Sequence, residues 1–188
     1  MKSVIISIRP QWVEKIASGK KTIEVRNSAP QEVPFKAYIY ETKGATETPW
    51  VDEDGHFIYK GRGQVIGEFI CNRIIEWKYL PDCEYDGEKM YYIESKDGEN
   101  TCLSYDEIGE YGKGKTLYGW HISDLKIYDK PRALSEFRKP LDRVWGSYCN
   151  DYCDAECIYY CKDYRNWEKG LIRPPQSWQY VEDLGEKK

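Results

Sequence analysis

Histidine is almost missing from this chain. Only His56 and His121 occur among 188 residues, 65 positions apart. So sparse a supply gives no histidine-based metal centre, and no Ser-His-Asp triad is argued from it. Long apolar runs are missing as well. The run from Val4 to Ile8 is five residues, far short of a bilayer-crossing helix or the core of a signal peptide. A surplus of positive charge is the third absence. Lys and Arg number 28 against 32 Asp and Glu, for a net charge of −4 and a pI near 5.4. Broad, non-specific duplex binding needs a dominating basic surface and is disfavoured, although a local basic groove is not. Gly112-Lys113-Gly114-Lys115 lacks the spacing of a phosphate-binding Walker loop and reads as a turn.

Aromatics are abundant: 17 Tyr and 7 Trp. Such rings bury large areas while keeping a polar handle, so some belong to a core and others suit a cleft for flat ligands. Seven cysteines cannot all pair within one chain. With no export signal read, the expectation is a reducing, cytoplasmic setting, without membrane attachment. The length suits one domain, or one domain and an extension.

Val4–Ile8 reads as a buried strand. Pro10 suits the first turn of a helix, on which Trp12, Val13, Ile16 and Ala17 share a face. Gly19 suits the left-handed residue that ends it. Thr22–Arg26 reads as a strand with Ile23 and Val25 to one side and Glu24 and Arg26 to the other. Phe35–Glu41 is a third strand, and Asp54-Gly55 a hairpin signal in a polar excursion over 44–63. Gln64–Trp77 reads as one long bent strand. Asp97-Gly98 suggests a hairpin within 90–103, and Ser104-Tyr105-Asp106-Glu107 a capped helix. Thr116–Ile122 and Leu125–Tyr128 are the last core strands. Residues 1–128 are expected to form the core domain, and 129–188 a Cys- and aromatic-rich extension packed on it.

The most informative stretch is Gly19-Lys20-Lys21-Thr22-Ile23-Glu24-Val25-Arg26, a polar cluster between helix stop and strand. Preceded by Ile5-Ile6-Ser7-Ile8-Arg9-Pro10, it resembles the opening of the ASCH domain, a PUA-like family. Tyr38-Ile39-Tyr40-Glu41-Thr42, Val65-Ile66-Gly67-Glu68-Phe69 and Tyr118-Gly119-Trp120-His121-Ile122 resemble later strands of that family in the same order. The resemblance covers about the first 128 residues. It implies an α+β fold: a small mixed β-barrel of five or six strands with short flanking helices and a cleft beside the first helix. It also implies binding of RNA, single-stranded nucleic acid or a modified nucleoside, without a cofactor. Some small relatives are amidohydrolases on N4-acylated cytidine, and others are described as ribonucleases. The amidohydrolases use a Lys matching Lys21 and a Thr matching Glu24. A carboxylate does not replace a hydroxyl nucleophile without a change of mechanism.

The candidate site therefore comprises Lys21 and Glu24, which would be the catalytic pair in an enzyme, with Arg9, Arg26, Tyr40, Trp50 and Trp120 as further ligand contacts. Lysine and arginine would take phosphate or base carbonyls, Glu24 would accept from a base edge, and an aromatic would stack, at roughly 1–3 kcal/mol per base. The plainer alternative is a Lys21–Glu24 salt bridge that locks the turn. Trp12, in register with the apolar helix face, is expected in the core. Cys149, Cys153, Cys157 and Cys161 recur every four residues. In one straight helix the outer two would stand about 18 Å apart, too far for a single zinc. A stripe of packed thiols is the preferred reading and a broken zinc-binding segment the alternative. The acidic surface and aromatic extension also suit a protein partner.

Overall fold

A computed structural model of the chain describes residues 1–44, 50–51, 57–58, 61–85, 88–140 and 168–185, with the backbone alone at 50–51, 57–58, 81–85, 88–90 and 95. The fold is mixed α+β, and the chain divides into two compact units. The first holds Met1–Pro10, Lys36–Glu68 and Ile127–Lys188; the second holds Gln11–Phe35 and Phe69–Lys126.

The first unit carries most of a five-stranded sheet. Its strands are β1 (Lys2–Ile8), β3 (Phe35–Glu41), β6 (Gln64–Cys71), β11 (Ser123–Arg132) and β12 (Trp178–Val181), in the order β11-β6-β3-β1-β12. The unbroken apolar stretch of β1 is buried on both faces from Ser3 to Ile8, as a central strand requires. β12 returns from late in the chain to pair antiparallel with it, Ser3 opposite Val181 and Ile6 opposite Trp178. Ile5, Tyr38, Val65, Phe137 and Val181 pack in the core of this unit. Within the excursion, β4 (Trp50–Val51) pairs antiparallel with β5 (Phe57–Ile58). Asp54-Gly55, His56 and the four spaced cysteines lie outside the described residues.

The second unit contains α1 (Pro10–Ala17, its first residue in the first unit), β2 (Ile23–Arg26), β7 (Ile74–Trp77), α2 (Ser95–Thr101), α3 (Tyr105–Gly112) and β10 (Leu117–His121). Val13 and Ile16 are the buried positions of α1. The helix stops at Gly19, whose φ of +74° costs an L side chain but not glycine. The three-stranded sheet runs β2-β10-β7. Its apolar face, with Ile23, Val25, Trp77 and Leu117, packs with Ile108 of α3 and with Tyr91 and Ile93. β8 (Tyr79–Tyr85) and β9 (Glu88–Tyr91) form a separate antiparallel ribbon.

Three sequence expectations need correction. Gln64–Trp77 is two strands in different sheets, β6 and β7, divided at the exposed Asn72 and Arg73. An apolar run blind to parity does not reveal such a break. Asp97-Gly98 is not a hairpin but lies within α2, where the carboxylate of Asp97 suits the first turn. The described strands form the two sheets and two ribbons rather than one closed barrel. Alternation tells which face of a strand is buried, not which edges join.

Candidate functional site

Lys21 stands between the end of α1 and the start of β2. Its main-chain N–H donates to the Lys15 carbonyl at 2.9 Å, and Thr22 N–H to the Asn100 carbonyl at 3.0 Å. The first bond closes the turn on α1, and the second ties it to the C-terminal end of α2. There the Lys21 ammonium donates to the Thr101 carbonyl at 2.6 Å. The last carbonyls of a helix lack intrahelical partners and sit at the negative end of its dipole, so a cation is favoured there.

Because Lys21 precedes the strand, its side chain is freed from strand parity and meets Glu24. Its Nζ lies 3.4 Å from Glu24 Oε2, and an Arg26 terminal nitrogen lies 2.9 Å from Glu24 Oε1. Two cations thus share one carboxylate, and the three residues are only 2%, 6% and 8% exposed. Burial pulls the Lys21 ammonium below the usual lysine range, and the adjacent Glu24 carboxylate opposes that shift.

The register of the sheet explains what surrounds the cluster. Glu24 stands opposite Trp120, which stands opposite Ile74; Arg26 stands opposite Tyr118, which stands opposite Glu76. Residues directly opposed in antiparallel strands share a face. The charged side of β2 therefore continues across β10 as two aromatic residues, while Val25, Gly119 and Ile75 lie on the apolar side. Gly119 is required there. A Cβ would come within 2.8 Å of the Trp77 ring and 3.0 Å of Ile23.

Lys21, Glu24 and Arg26 are brought together. Trp120 shares their face, but it is fully buried with its ring edge-on to Phe35 at 5.0 Å. It presents no free face for stacking. Packing has taken the ring that the sequence offered as a stacker. Arg9 is exposed in the first unit, at the corner after β1. Tyr40 also belongs to the first unit, nearly buried, and burial raises the pKa of its phenol. Trp50 lies on β4, and its side chain is outside the described residues.

Two contributors were missed by sequence reasoning. Trp12 is half-buried rather than a core residue. Its ring has the Lys15 ammonium at 4.7 Å and the Lys21 ammonium at 5.3 Å from its centroid, within cation–π range. The signal was present: Trp12 and Lys15 are three apart on a helix, and Val13 with Ile16 already supplies its buried stripe. Thr101 carried no signal, because it acts through its backbone from 80 positions away.

No family model and no curated protein sequence matches the chain. Its fold does match solved structures. An ASCH protein from Zymomonas mobilis superposes with a TM-score of 0.53 at 19% identity, covering 96% of this chain and 88% of the other. A Tyr-to-Phe variant of that protein gives 0.51 at 18%, covering 97% and 91%. A Ser-to-Ala variant gives 0.54 at 19%, covering 96% and 89%. The chain has an ASCH-like fold. No described helix is long and apolar enough to cross a membrane.

Proposed function

We propose that this chain binds single-stranded RNA or a modified nucleotide through the Lys21–Glu24–Arg26 cluster. Residues 1–128 would form an ASCH-type, PUA-like domain, with 129–188 an extension upon it. The observation that carries the reading is the cluster itself. Burying three charged side chains is costly. Charged groups gathered against that cost, with a displaced lysine pKa, mark functional sites more often than struts. Two cations around one carboxylate leave a net positive centre with both donors and acceptors. It suits a phosphate or base carbonyl on Lys21 or Arg26, and a base amino group on Glu24. Trp12, against the Lys21 ammonium, supplies the aromatic surface. Exposed base edges favour single strands over duplexes.

One contact favours binding over hydrolysis. The Lys21 nitrogen is engaged as a donor to a carbonyl and faces a carboxylate, while burial works the other way and lowers its pKa. Lys21 acts in this reading as a donor.

The test is fluorescence anisotropy with a short labelled single-stranded RNA, alongside chromatography of an N4-acylcytidine panel. Saturable binding is expected, weakened about tenfold or more by Lys21→Met and weakened by added salt. Arg9→Ala, Tyr40→Phe and Trp50→Ala test the remaining candidates one at a time. RNA affinity unaltered by Lys21→Met would remove the proposal. Turnover of an acylcytidine that Lys21→Met abolishes would replace it with a hydrolase.

A further inference from the structure

The first unit contains a cavity of about 480 Å³, within the usual size range of small-molecule sites. All of its lining lies in that unit. Leu134, Leu171 and Ile172, from the late part of the chain, give it an apolar wall, and Tyr40, Thr42 and Lys43 are its polar lining residues. The Tyr40 hydroxyl has no hydrogen-bond partner among the described residues. Among the described lining residues Lys43 is the one that carries a charge. The nearby Glu41 carboxylate is already engaged, accepting the Arg62 main-chain N–H at 2.9 Å.

Main-chain bonds fix both the polar and the apolar wall. Thr42 N–H donates to the Ile8 carbonyl at 2.9 Å, and Leu171 N–H to the Phe137 carbonyl at 2.8 Å. Gly61 passes so close to Thr42 that a Cβ would meet its carbonyl oxygen at 1.7 Å. Gly63, at a φ of +67°, lies under the stem of Lys43, whose Cε would stand 2.5 Å from any Cβ placed there. The stem of this exposed lysine is therefore laid across a glycine backbone.

We propose that this cavity binds a small amphipathic organic anion. One or two rings, or a short alkyl body, would lie against Leu134, Leu171 and Ile172. A carboxylate or sulfonate would accept from Lys43 and from the Tyr40 and Thr42 hydroxyls. Donors at one end and hydrocarbon at the other define the class. One positive charge, with no carboxylate among the described lining residues, sets its sign. The proposal does not rest on the Lys21–Glu24–Arg26 cluster, which lies in the second unit; Tyr40 alone is common to both.

Isothermal titration of the full chain with 1-naphthoate tests it, with 1-naphthalenemethanol as the neutral counterpart. Saturable one-to-one binding of the naphthoate is expected, with the alcohol weaker by about fivefold or more. Lys43→Met keeps the stem, removes the charge and should weaken naphthoate by a similar factor. Ile172→Glu changes a residue that is 84% exposed, so folding is retained while the added carboxylate repels the anion. Lys113→Met, in an exposed turn, should bind as the parent does. Absence of saturation at millimolar naphthoate overturns the proposal. So does binding that Lys43→Met and Ile172→Glu both leave unchanged.

Discussion

The ammonium of Lys21 is bonded to the main-chain carbonyl of Thr101, so the start of β2 and the end of α2 share one proton donor. The same nitrogen faces Glu24, and Glu24 faces Arg26. The pair clasps, as the salt-bridge alternative expects, with a third charge and an aromatic ring beside it. A ligand would exchange most readily with the longer Lys21–Glu24 contact at 3.4 Å, leaving the 2.9 Å Arg26 contact to hold the carboxylate.

A double-mutant cycle measures this coupling. Lys21→Met removes the donor to Thr101 and one of two cations on Glu24, and should cost about 1–3 kcal/mol. Glu24→Gln leaves two buried cations without their carboxylate and should cost more, about 3–5 kcal/mol. The double variant should cost less than the sum by about 1–2 kcal/mol. Urea midpoints at neutral pH give all four corners. Strict additivity would mean the two side chains do not interact.

Gly119→Ala tests the sheet behind the cluster. The new methyl would stand 2.8 Å from the Trp77 ring and 3.0 Å from Ile23, on the apolar face away from Glu24. Overpacking of this kind costs about 1–3 kcal/mol. A fall in melting temperature, with a shifted Trp77 signal in the near-ultraviolet circular dichroism, is the expected result. A variant as stable as the parent would show that the rings shift freely.

Much of this architecture was readable from residues alone, and the failures have physical causes. Phe35–Glu41 and the Ser104 capping box were legible because alternation and capping are local. The third Asp-Gly pair, Asp86-Gly87, stands in the sequence between β8 and β9; it carried the same hairpin signal as Asp97-Gly98 and was passed over. A local signal does not say that Asp97-Gly98 enters a helix. The shared face of Glu24 and Arg26 was legible from alternation, whereas Lys21, in phase with Ile23, was grouped with them by the family resemblance. The Thr101 carbonyl and the fate of Trp120 were not, because both depend on tertiary partners far away in sequence.

Ser104→Ala addresses a local term. The Ser104 hydroxyl accepts the Glu107 N–H at 3.2 Å, and the Glu107 carboxylate accepts the Ser104 N–H at 2.8 Å. Losing the cap should cost about 1 kcal/mol. Hydrogen exchange should rise first at the start of α3, and equal exchange in parent and variant would deny the cap a stabilising part.

The last prediction concerns alkaline pH. In the first unit the Tyr38 hydroxyl donates to the Asp183 carboxylate and accepts the Leu184 N–H at 3.1 Å, and the Tyr128 hydroxyl donates to Glu68. Burial, followed by these carboxylates, pushes both phenols well above the ordinary value of 10.0. An unfolded chain releases these protons near that value while the folded chain still holds them. Above it the unfolded state binds fewer protons, so stability falls as pH rises. The contribution is fully present below that pH and declines progressively above it. Urea midpoints from about pH 8 to about pH 11 should show a downward slope that is shallower in Tyr38→Phe and in Tyr128→Phe, since phenylalanine has no proton to lose. Slopes identical in the parent and both variants would mean that neither phenol is held protonated by the fold.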